Sequence, residues 1–360
     1  MTLLNNRKIC IVGPGLKMGG VERASSNLAN ALNRHGESVT YIALFQLEYF
    51  FKLNPNINFV EPDDFNKGKL SFFKTILWLR RLLKKHKPNV IIVYSIFYAA
   101  LTSLALLGKS YPIFLSERSS PLYRWPRHVR LFCRLVFWIK RPTGIIAQTT
   151  IASIYQQRYY GKKIPIKVIP NALREVNLFP AIERENFILG VGRFNDTLKG
   201  FDRLIQAFSK IDNKSWNLVF AGGDQDGQYL KDQAKELGVL HRIKFMGKVK
   251  EIDKLYASAG IFVIPSRSEG FPNALCEAMA AGLPCISYDF VAGPSDIIKN
   301  GINGILLEEG NINLLSKEID HLIKDHKLRK QLGKKAMEIR AELHQDRIIK
   351  ETQDFINKYV

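Results

Sequence analysis

One long stretch of this sequence contains almost no acidic residues. Residues 65–174 hold 21 lysines and arginines and a single acid, Glu117, whereas residues 1–64 hold six of each sign and residues 175–360 hold 26 of each. This basic segment, residues 65–174, therefore carries the whole formal net charge of +20. A field of one sign over so large a surface favours a polyanionic partner, either nucleic acid or an anionic membrane face.

The sequence also lacks the features of several common protein classes. Its four cysteines have no paired spacing, so neither a zinc site nor a disulfide framework is predicted. No long apolar stretch precedes a cleavage site near the N-terminus, so we predict no signal peptide. No helix-turn-helix or zinc module accompanies the basic segment, which argues against nucleic acid as its partner.

Residues 88–108 carry no charge and are numerous enough to cross a bilayer as a helix. However, six residues with polar groups interrupt the run: Asn89, Tyr94, Ser95, Tyr98, Thr102 and Ser103. Residues 90–94 are mostly β-branched, and residues 99–107 favour a helix. We therefore predict a strand followed by a buried helix in preference to a membrane span.

Length and composition predict two globular α/β domains. The 360 residues are 46% hydrophobic and 11% aromatic, which suffices for two ordinary cores. Strand-like and helix-like segments alternate in both halves, as in doubly wound parallel sheets. A polar, proline-containing linker at residues 172–185 predicts an N-terminal domain of residues 1–175 and a second domain of residues 176–345, with a C-terminal helix at residues 346–360 that packs back on the first domain.

The first strand is followed by a glycine-rich loop. Its Gly13-x-Gly15-x-x pattern continues with Met18 and not with a small residue, so it is no clean dinucleotide fingerprint. Gly19 and Gly20 at the following helix start still permit close backbone approach to a phosphate or a sugar. The alternative is a flexible connector.

Two parts of the basic segment combine cations with aromatic residues. Residues 65–90 contain eight lysines and arginines with apolar residues at helical spacing, and residues 118–141 contain seven with two tryptophans. Basic amphipathic helices of this kind are typical of elements that lie on a membrane surface. An ordinary crossover helix packed on the sheet is the alternative, and both interpretations can hold together.

In the second half, a strand leads into a loop that contains Arg193 and Lys199 and ends at a helix. Two cations around a helix N-terminus suit a diphosphate, although two solvated surface cations would produce the same pattern. Asp224 and Asp226 resemble a metal-binding pair, but on a short glycine-flanked turn they more often stabilise the turn. We predict no metal site.

The stretch at residues 266–282, SRSEGFPNALCEAMAAG, joins a buried strand to a helix and contains two acids. Glu269 lies on the turn, and Glu277 lies eight residues later inside the helix. A strand-to-helix turn presents backbone N–H groups to an anion, and carboxylates accept hydrogen bonds from hydroxyls. One polyhydroxylated ligand that carries phosphates would bind both the N–H groups and the carboxylates. The alternative is that both acids are solvated and bind no ligand.

Taken together, these motifs resemble the retaining glycosyltransferases of family 4. The resemblance covers almost the whole chain through five short segments: residues 19–23 (GGVER), 192–200, 221–224 (AGGD), 246–249 (MGKV) and 269–277 (EGFPNALCE). It implies a GT-B fold of two facing Rossmann-like doubly wound domains with an interdomain cleft. It also implies transfer without a metal or another cofactor.

The resemblance assigns roles to individual residues. Glu277 would bind the ribose of a nucleotide-sugar and Glu269 the hydroxyls of its sugar, while Arg193 and Lys199 would neutralise the departing diphosphate. The remaining donor-binding residues would contact the base, the phosphates or the sugar: Gly19, Gly20, Gly247, Val249, Gly270, Phe271, Pro272 and Asn273. Many relatives carry a histidine beside the reacting sugar where this chain has Arg118, which would bind or stabilise charge because arginine is no general base at neutral pH.

These observations predict a cytoplasmic enzyme held on the inner face of the plasma membrane. We expect it to move a sugar, from a UDP-linked hexose or N-acetylhexosamine, to a lipid-linked saccharide in the synthesis of O-antigen, capsule or exopolysaccharide. An anionic membrane surface is an expected partner, and nucleic acid is not. The alternatives are a soluble transferase with a non-lipid sugar acceptor and a nucleic-acid-binding protein.

Overall fold

The computed structural model describes residues 7–17, 19–45, 48–62, 71–223, 227–291 and 293–360. It divides the chain into two compact units. Unit 1 comprises Met1–Ala172 and Gln345–Val360, and unit 2 comprises Leu173–His344. The change from one unit to the other falls within a few residues of the boundary that we expected from the polar linker.

Unit 1 contains a parallel sheet whose strands alternate with helices. Its strands are β1 (Lys8–Gly13), β2 (Ser38–Ala43), β3 (Asn58–Val60), β4 (Val90–Tyr94), β5 (Ile113–Ser116), β6 (Gly144–Ala147) and β7 (Ile166–Val168). The alternating helices are α1 (Gly20–Arg34), α2 (Ser71–His86), α3 (Ile96–Ala105), α4 (Arg127–Ile139) and α5 (Thr150–Tyr160). The spatial order β3-β2-β1-β4-β5-β6-β7 reverses direction between β1 and β4, which makes the sheet doubly wound.

The uncharged run at residues 88–108 forms β4 and α3, so the prediction of a strand and a buried helix is confirmed. Every residue of β4 is buried, because helices cover both faces of a parallel sheet. Among the described residues, no helix has both the length and the apolar character needed to cross a membrane.

Unit 2 repeats the plan with a second parallel sheet. Its strands are β8 (Phe187–Val191), β9 (Asn217–Ala221), β10 (Ile243–Phe245), β11 (Ile261–Ile264), β12 (Cys285–Tyr288) and β13 (Ile305–Leu307). Its helices are α6 (Phe201–Ser209), α7 (Gln228–Glu236), α8 (Ile252–Ser258), α9 (Asn273–Ala280), α10 (Ile312–Lys324), α11 (His326–Ala336) and α12 (Ile339–Glu342). The order β10-β9-β8-β11-β12-β13 reverses between β8 and β11.

The last helix, α13 (Gln345–Asn357), belongs to unit 1. Its Phe355 ring lies 5.6 Å from that of Phe114 on β5, in an edge-to-face contact. Gly144 on β6 leaves room for this ring, because a Cβ there would lie 3.0 Å from Phe355. The C-terminus therefore completes the core of the first unit.

Candidate active site

In unit 2, the loops after β8 and β11 meet where the strand order reverses. Gly200 has a left-handed backbone (φ +68°), and a Cβ on it would lie 2.0 Å from the carbonyl oxygen of Pro265. The Arg267 N–H donates to the Leu198 carbonyl over 2.7 Å. The two loops are therefore packed backbone to backbone at the carboxyl edge of the sheet, where doubly wound proteins bind their ligands.

This close packing brings Lys199 and Glu269 together. The Lys199 Nζ lies 3.0 Å from Glu269 Oε1, and the Ser266 hydroxyl donates to the same oxygen over 2.8 Å. The two charged side chains are only 20% and 10% exposed, so solvent screens this pair less than a surface pair. The Lys199 ammonium and the Glu269 carboxylate are therefore in contact. The loops that carry them follow β8 and β11 and are packed against each other.

Glu277, in the second turn of α9, forms a second buried cluster. Its Oε2 accepts a hydrogen bond from Arg174 over 3.1 Å and a longer one from the Tyr256 hydroxyl over 3.4 Å. Arg174 also forms a two-pronged pair with Asp253. Burial opposes the charge of Arg174, but the bonds to Asp253 and Glu277 outweigh burial and raise the pKa of Arg174.

The same balance applies to Asp253. Burial alone would raise its pKa, but the bonds from Arg174 and from the backbone N–H of Asn177 outweigh that effect and lower it. Arg174 and Asp253 therefore form an ion pair in contact with Glu277. These contacts fix the position of the Glu277 carboxylate, which accepts hydrogen bonds.

Arg193 lies on the loop after β8, at a different point from Lys199. Its side chain is 77% exposed and forms a 2.7 Å ion pair with Asp196 three residues on.

The loop after β10 lies beside the loop after β9, since the Gly222 N–H donates to the Gly247 carbonyl over 2.7 Å. Val249 is half-buried on the same stretch.

The remaining donor-binding candidates of unit 2 lie at the start of α9. Gly270 precedes the buried Phe271 and Pro272, and α9 begins at Asn273, whose backbone N–H donates to the Phe271 carbonyl over 2.9 Å. The stretch at residues 266–282 thus forms one strand-to-helix turn, with Glu269 at its beginning and Glu277 on the helix.

The unit 1 candidates lie at the carboxyl edge of its own sheet. Gly19 is the residue before α1, and a Cβ there would lie 2.2 Å from the Glu22 carboxylate, whereas Gly20 has open space around it. Arg118 follows β5 and donates to the Ser116 hydroxyl over 2.8 Å and to Asn171 Oδ1 over 2.6 Å. Burial lowers the pKa of Arg118, although an arginine remains protonated at neutral pH.

Four residues of these clusters were not identified from the sequence: Arg174, Asp253, Tyr256 and Ser266. In the sequence, Arg174 falls within the polar linker at residues 172–185. A usable signal was present, because a glutamate on a helix of otherwise buried residues requires a cationic or hydrogen-bonding partner. The sequence gives no indication of which distant residue supplies it.

The two aspartates that we interpreted as a turn, Asp224 and Asp226, lie outside the described residues. Within the described ranges, no three side chains of the histidine, cysteine, aspartate and glutamate types are grouped as metal ligands. All four cysteines are buried and unpaired with one another.

Gly200→Ala tests the packing of the two loops. We expect it to lower the free energy of unfolding by about 1–3 kcal/mol more than Gly238→Ala, measured by urea denaturation. Gly238 has the same φ of +68° but nothing within 4 Å of its Cβ position, so it isolates the backbone strain from the clash. Equal losses in the two variants would contradict the packing argument.

Two family models match the two halves of the chain. Residues 18–174 match the model described as Glycosyltransferase Family 4, and residues 175–339 match the model described as Glycosyl transferases group 1. Together the matches leave only the two ends of the chain uncovered.

Individual relatives agree with these matches. An alpha-1,4-N-acetyl-D-galactosaminyltransferase of Campylobacter jejuni, named for a diNAcBac-PP-undecaprenol acceptor, is 27% identical over 90% of this chain and 91% of its own. A lipopolysaccharide 1,6-galactosyltransferase of Salmonella typhimurium is 25% identical over 85% of this chain and 87% of its own. Both are bacterial transferases of glycan synthesis.

A solved structure supports the architecture. HepE of Anabaena in complex with UDP superimposes with a TM-score of 0.82 at 16% identity, over 98% of this chain and 100% of that one. At this identity the likeness shows the fold, which is GT-B with two Rossmann-like domains. With both halves matched by family models, the chain belongs to the glycosyltransferases of family 4.

Proposed function

We propose that the protein transfers a sugar from a nucleotide-sugar to a lipid-linked saccharide, with retention of the anomeric configuration and without a metal. The donor is a UDP-linked hexose or N-acetylhexosamine, and the product enters a surface polysaccharide. The observation that carries the proposal is the Lys199–Glu269 pair at the strand reversal of unit 2. One relative is named for an undecaprenol-linked acceptor and another for lipopolysaccharide, and HepE was solved with UDP.

The chemistry of the site fits this reaction. Breaking the bond between the sugar and the diphosphate leaves negative charge on the phosphate oxygens, and a fixed cation lowers the energy of that state. Lys199 supplies such a cation on a loop that is packed against the backbone that follows β11. Glu269 and Glu277 accept hydrogen bonds from sugar and ribose hydroxyls, respectively.

The exposed side of α4 supports attachment to a membrane. Its inner side packs on the core through Cys133, Val136 and Phe137, yet Leu131, Leu135 and Trp138 point outward and are 59%, 55% and 77% exposed. Arg127, Arg130 and Arg134 are exposed on the same helix. We call these six outward residues the α4 face. Exposed tryptophan and leucine among arginines suit the boundary between headgroups and acyl chains.

Trp138→Glu tests the α4 face. We expect it to weaken binding to vesicles of anionic phospholipid about tenfold in co-sedimentation, because an apolar side chain is replaced by a charge of the repelled sign. The control is Leu237→Glu on unit 2, where the original leucine is 40% exposed. Wild-type binding should also weaken at high salt.

Equal vesicle binding by Trp138→Glu and the wild type would contradict membrane attachment through α4. If the wild type does not bind vesicles at all, the soluble alternative with a non-lipid acceptor gains support.

The proposed activity itself is tested by nucleotide release. The protein is incubated in EDTA with a panel of nucleotide-sugars and a bacterial lipid extract, and the released nucleotide is measured. We expect release from one UDP-sugar that depends on the extract. Release only in the presence of added divalent metal would contradict the metal-free mechanism, and no release from any UDP-sugar would contradict the proposed donor.

A further inference from the structure

Arg118 is a half-buried arginine held by neutral side-chain oxygens. Arg80 and Arg340 are also half-buried without an ion pair among the described residues, but they donate to backbone carbonyls. Arg174, Arg203 and Arg267 each form an ion pair with a carboxylate. Arg118 has no ion pair among the described residues, and its hydrogen-bond partners are neutral oxygens of Ser116, Asn171 and Tyr94. The guanidinium is thus held in a fixed orientation, 5.7 Å from the centre of the Tyr94 ring, and no carboxylate among the described residues forms an ion pair with it.

The one acid of the basic segment attracts Arg118 electrostatically but is not its ion-pair partner. Glu117 accepts hydrogen bonds from the backbone N–H groups of Ile96 and Ser119, over 2.8 Å and 3.0 Å. Its carboxylate is therefore bound to the N-terminus of α3 and to its own loop. The direct hydrogen-bond partners of Arg118 at the carboxyl edge of the sheet are therefore neutral oxygens.

Ser95, at the adjacent strand end, is a second unusual feature. It is a non-glycine residue with a φ of +88°, and its hydroxyl is buried without a hydrogen-bond partner among the described residues. Its backbone N–H donates to the Ser116 carbonyl over 3.1 Å, which places it beside the residue that orients Arg118. Strain and an unpartnered buried hydroxyl together are typical of a ligand site.

The chemistry of these groups selects an oxyanion. A planar guanidinium binds phosphate oxygens through two parallel N–H bonds, and a serine hydroxyl can add a further donor. The loop from Arg118 to α4 passes over α3, where the Trp125 and Phe97 rings stack 6.5 Å apart. Arg118 and the α4 face are thus linked by one short loop, which suits a ligand that carries both phosphate and hydrocarbon.

We propose that Arg118 anchors a phosphate-binding site in unit 1 that receives the diphosphate of the lipid-linked acceptor. The proposal rests on the proposed function and extends it, since it names the acceptor group that is recognised and the residue that recognises it. Arg118 is then a binding residue of the acceptor, and Lys199 serves the diphosphate of the donor.

The test uses the full chain with farnesyl diphosphate as the probe and saturating UDP to occupy the donor site. Isothermal titration should show binding by the wild type. Arg118→Gln should raise the Kd for farnesyl diphosphate about 10- to 100-fold, because a charge-assisted pair is lost. Arg118→Lys should have an intermediate effect, and the exposed control Lys52→Gln should behave as the wild type. Circular dichroism confirms that each variant is folded.

Two results would overturn the inference. One is no binding of farnesyl diphosphate by the wild type, and the other is unchanged binding by Arg118→Gln. If the Kd for UDP rises in that variant while binding of farnesyl diphosphate is unchanged, Arg118 holds the donor instead. Diphosphate binding through Arg118 without any sugar transfer to a lipid would instead contradict only the proposed function.

Discussion

Lys199→Ala should lower kcat for sugar transfer about 100- to 1,000-fold, the usual loss when one fixed group that stabilises transition-state charge is removed. Lys199 is suited to this role because it is 80% shielded from solvent and its loop is packed against β11. The measurement is the initial rate of nucleotide release at saturating donor. KM for the donor should change much less, since the charge on the diphosphate grows as the bond breaks.

Lys210→Ala provides the matched control for Lys199. Lys210 follows α6 in the same unit and contacts Asn313 on the surface. We expect its activity to remain within about twofold of the wild type. A loss in Lys199→Ala no larger than in this control would remove Lys199 from the site. Arg193→Ala should have a smaller effect than Lys199→Ala, because the side chain of Arg193 is 77% exposed.

Glu277→Gln should raise KM for the nucleotide-sugar about tenfold or more and also destabilise the protein. The carboxylate that accepts hydroxyl hydrogen bonds is replaced by an amide, and Arg174 loses one of its two acidic partners. Breaking a fully buried pair costs about 3–5 kcal/mol, but Arg174 is 25% exposed and keeps Asp253, so we expect about 1–2 kcal/mol. Urea denaturation and donor-saturation kinetics measure the two effects.

Glu309→Gln separates the general effect of losing an acid from the effect at this site. Glu309 pairs with Arg203 in the same unit but is 40% exposed. Its replacement should cost no more than about 0.5 kcal/mol and leave KM unchanged. If Glu277→Gln matches this control in both measurements, Glu277 has no special role in donor binding.

Much of the fold could be predicted from the sequence because local patterns determine it. The β-branched run of β4 marks a strand, and a glycine such as Gly200 marks a turn. Neither signal depends on distant residues. The short strand β5 is not predictable in this way, since its four residues follow a Tyr-Pro pair and offer too little pattern. The position of α13 in the first unit was expected, but its contact between Phe355 and Phe114 was not.

The candidate site was harder to predict because its partners are far apart in the sequence. Glu277 and Glu269 stand out in one motif, yet Arg174 lies about 100 residues before Glu277, and only folding brings the two together. Composition indicated that residues 118–141 suit a membrane surface. It could not show that α4 turns Trp138 and two leucines outward, because that depends on which side packs against α3.

The central claim is that unit 2 binds the nucleotide-sugar at the strand reversal, through the loops that carry Lys199 and Glu269. Hydrogen–deuterium exchange of the full chain, with and without the nucleotide-sugar that supports transfer, tests it most directly. We predict slower exchange in residues 192–200 and 266–280, and Lys199→Ala should weaken this protection while Lys210→Ala should not. Protection confined to other parts of the chain, with these two segments unchanged, would contradict the account.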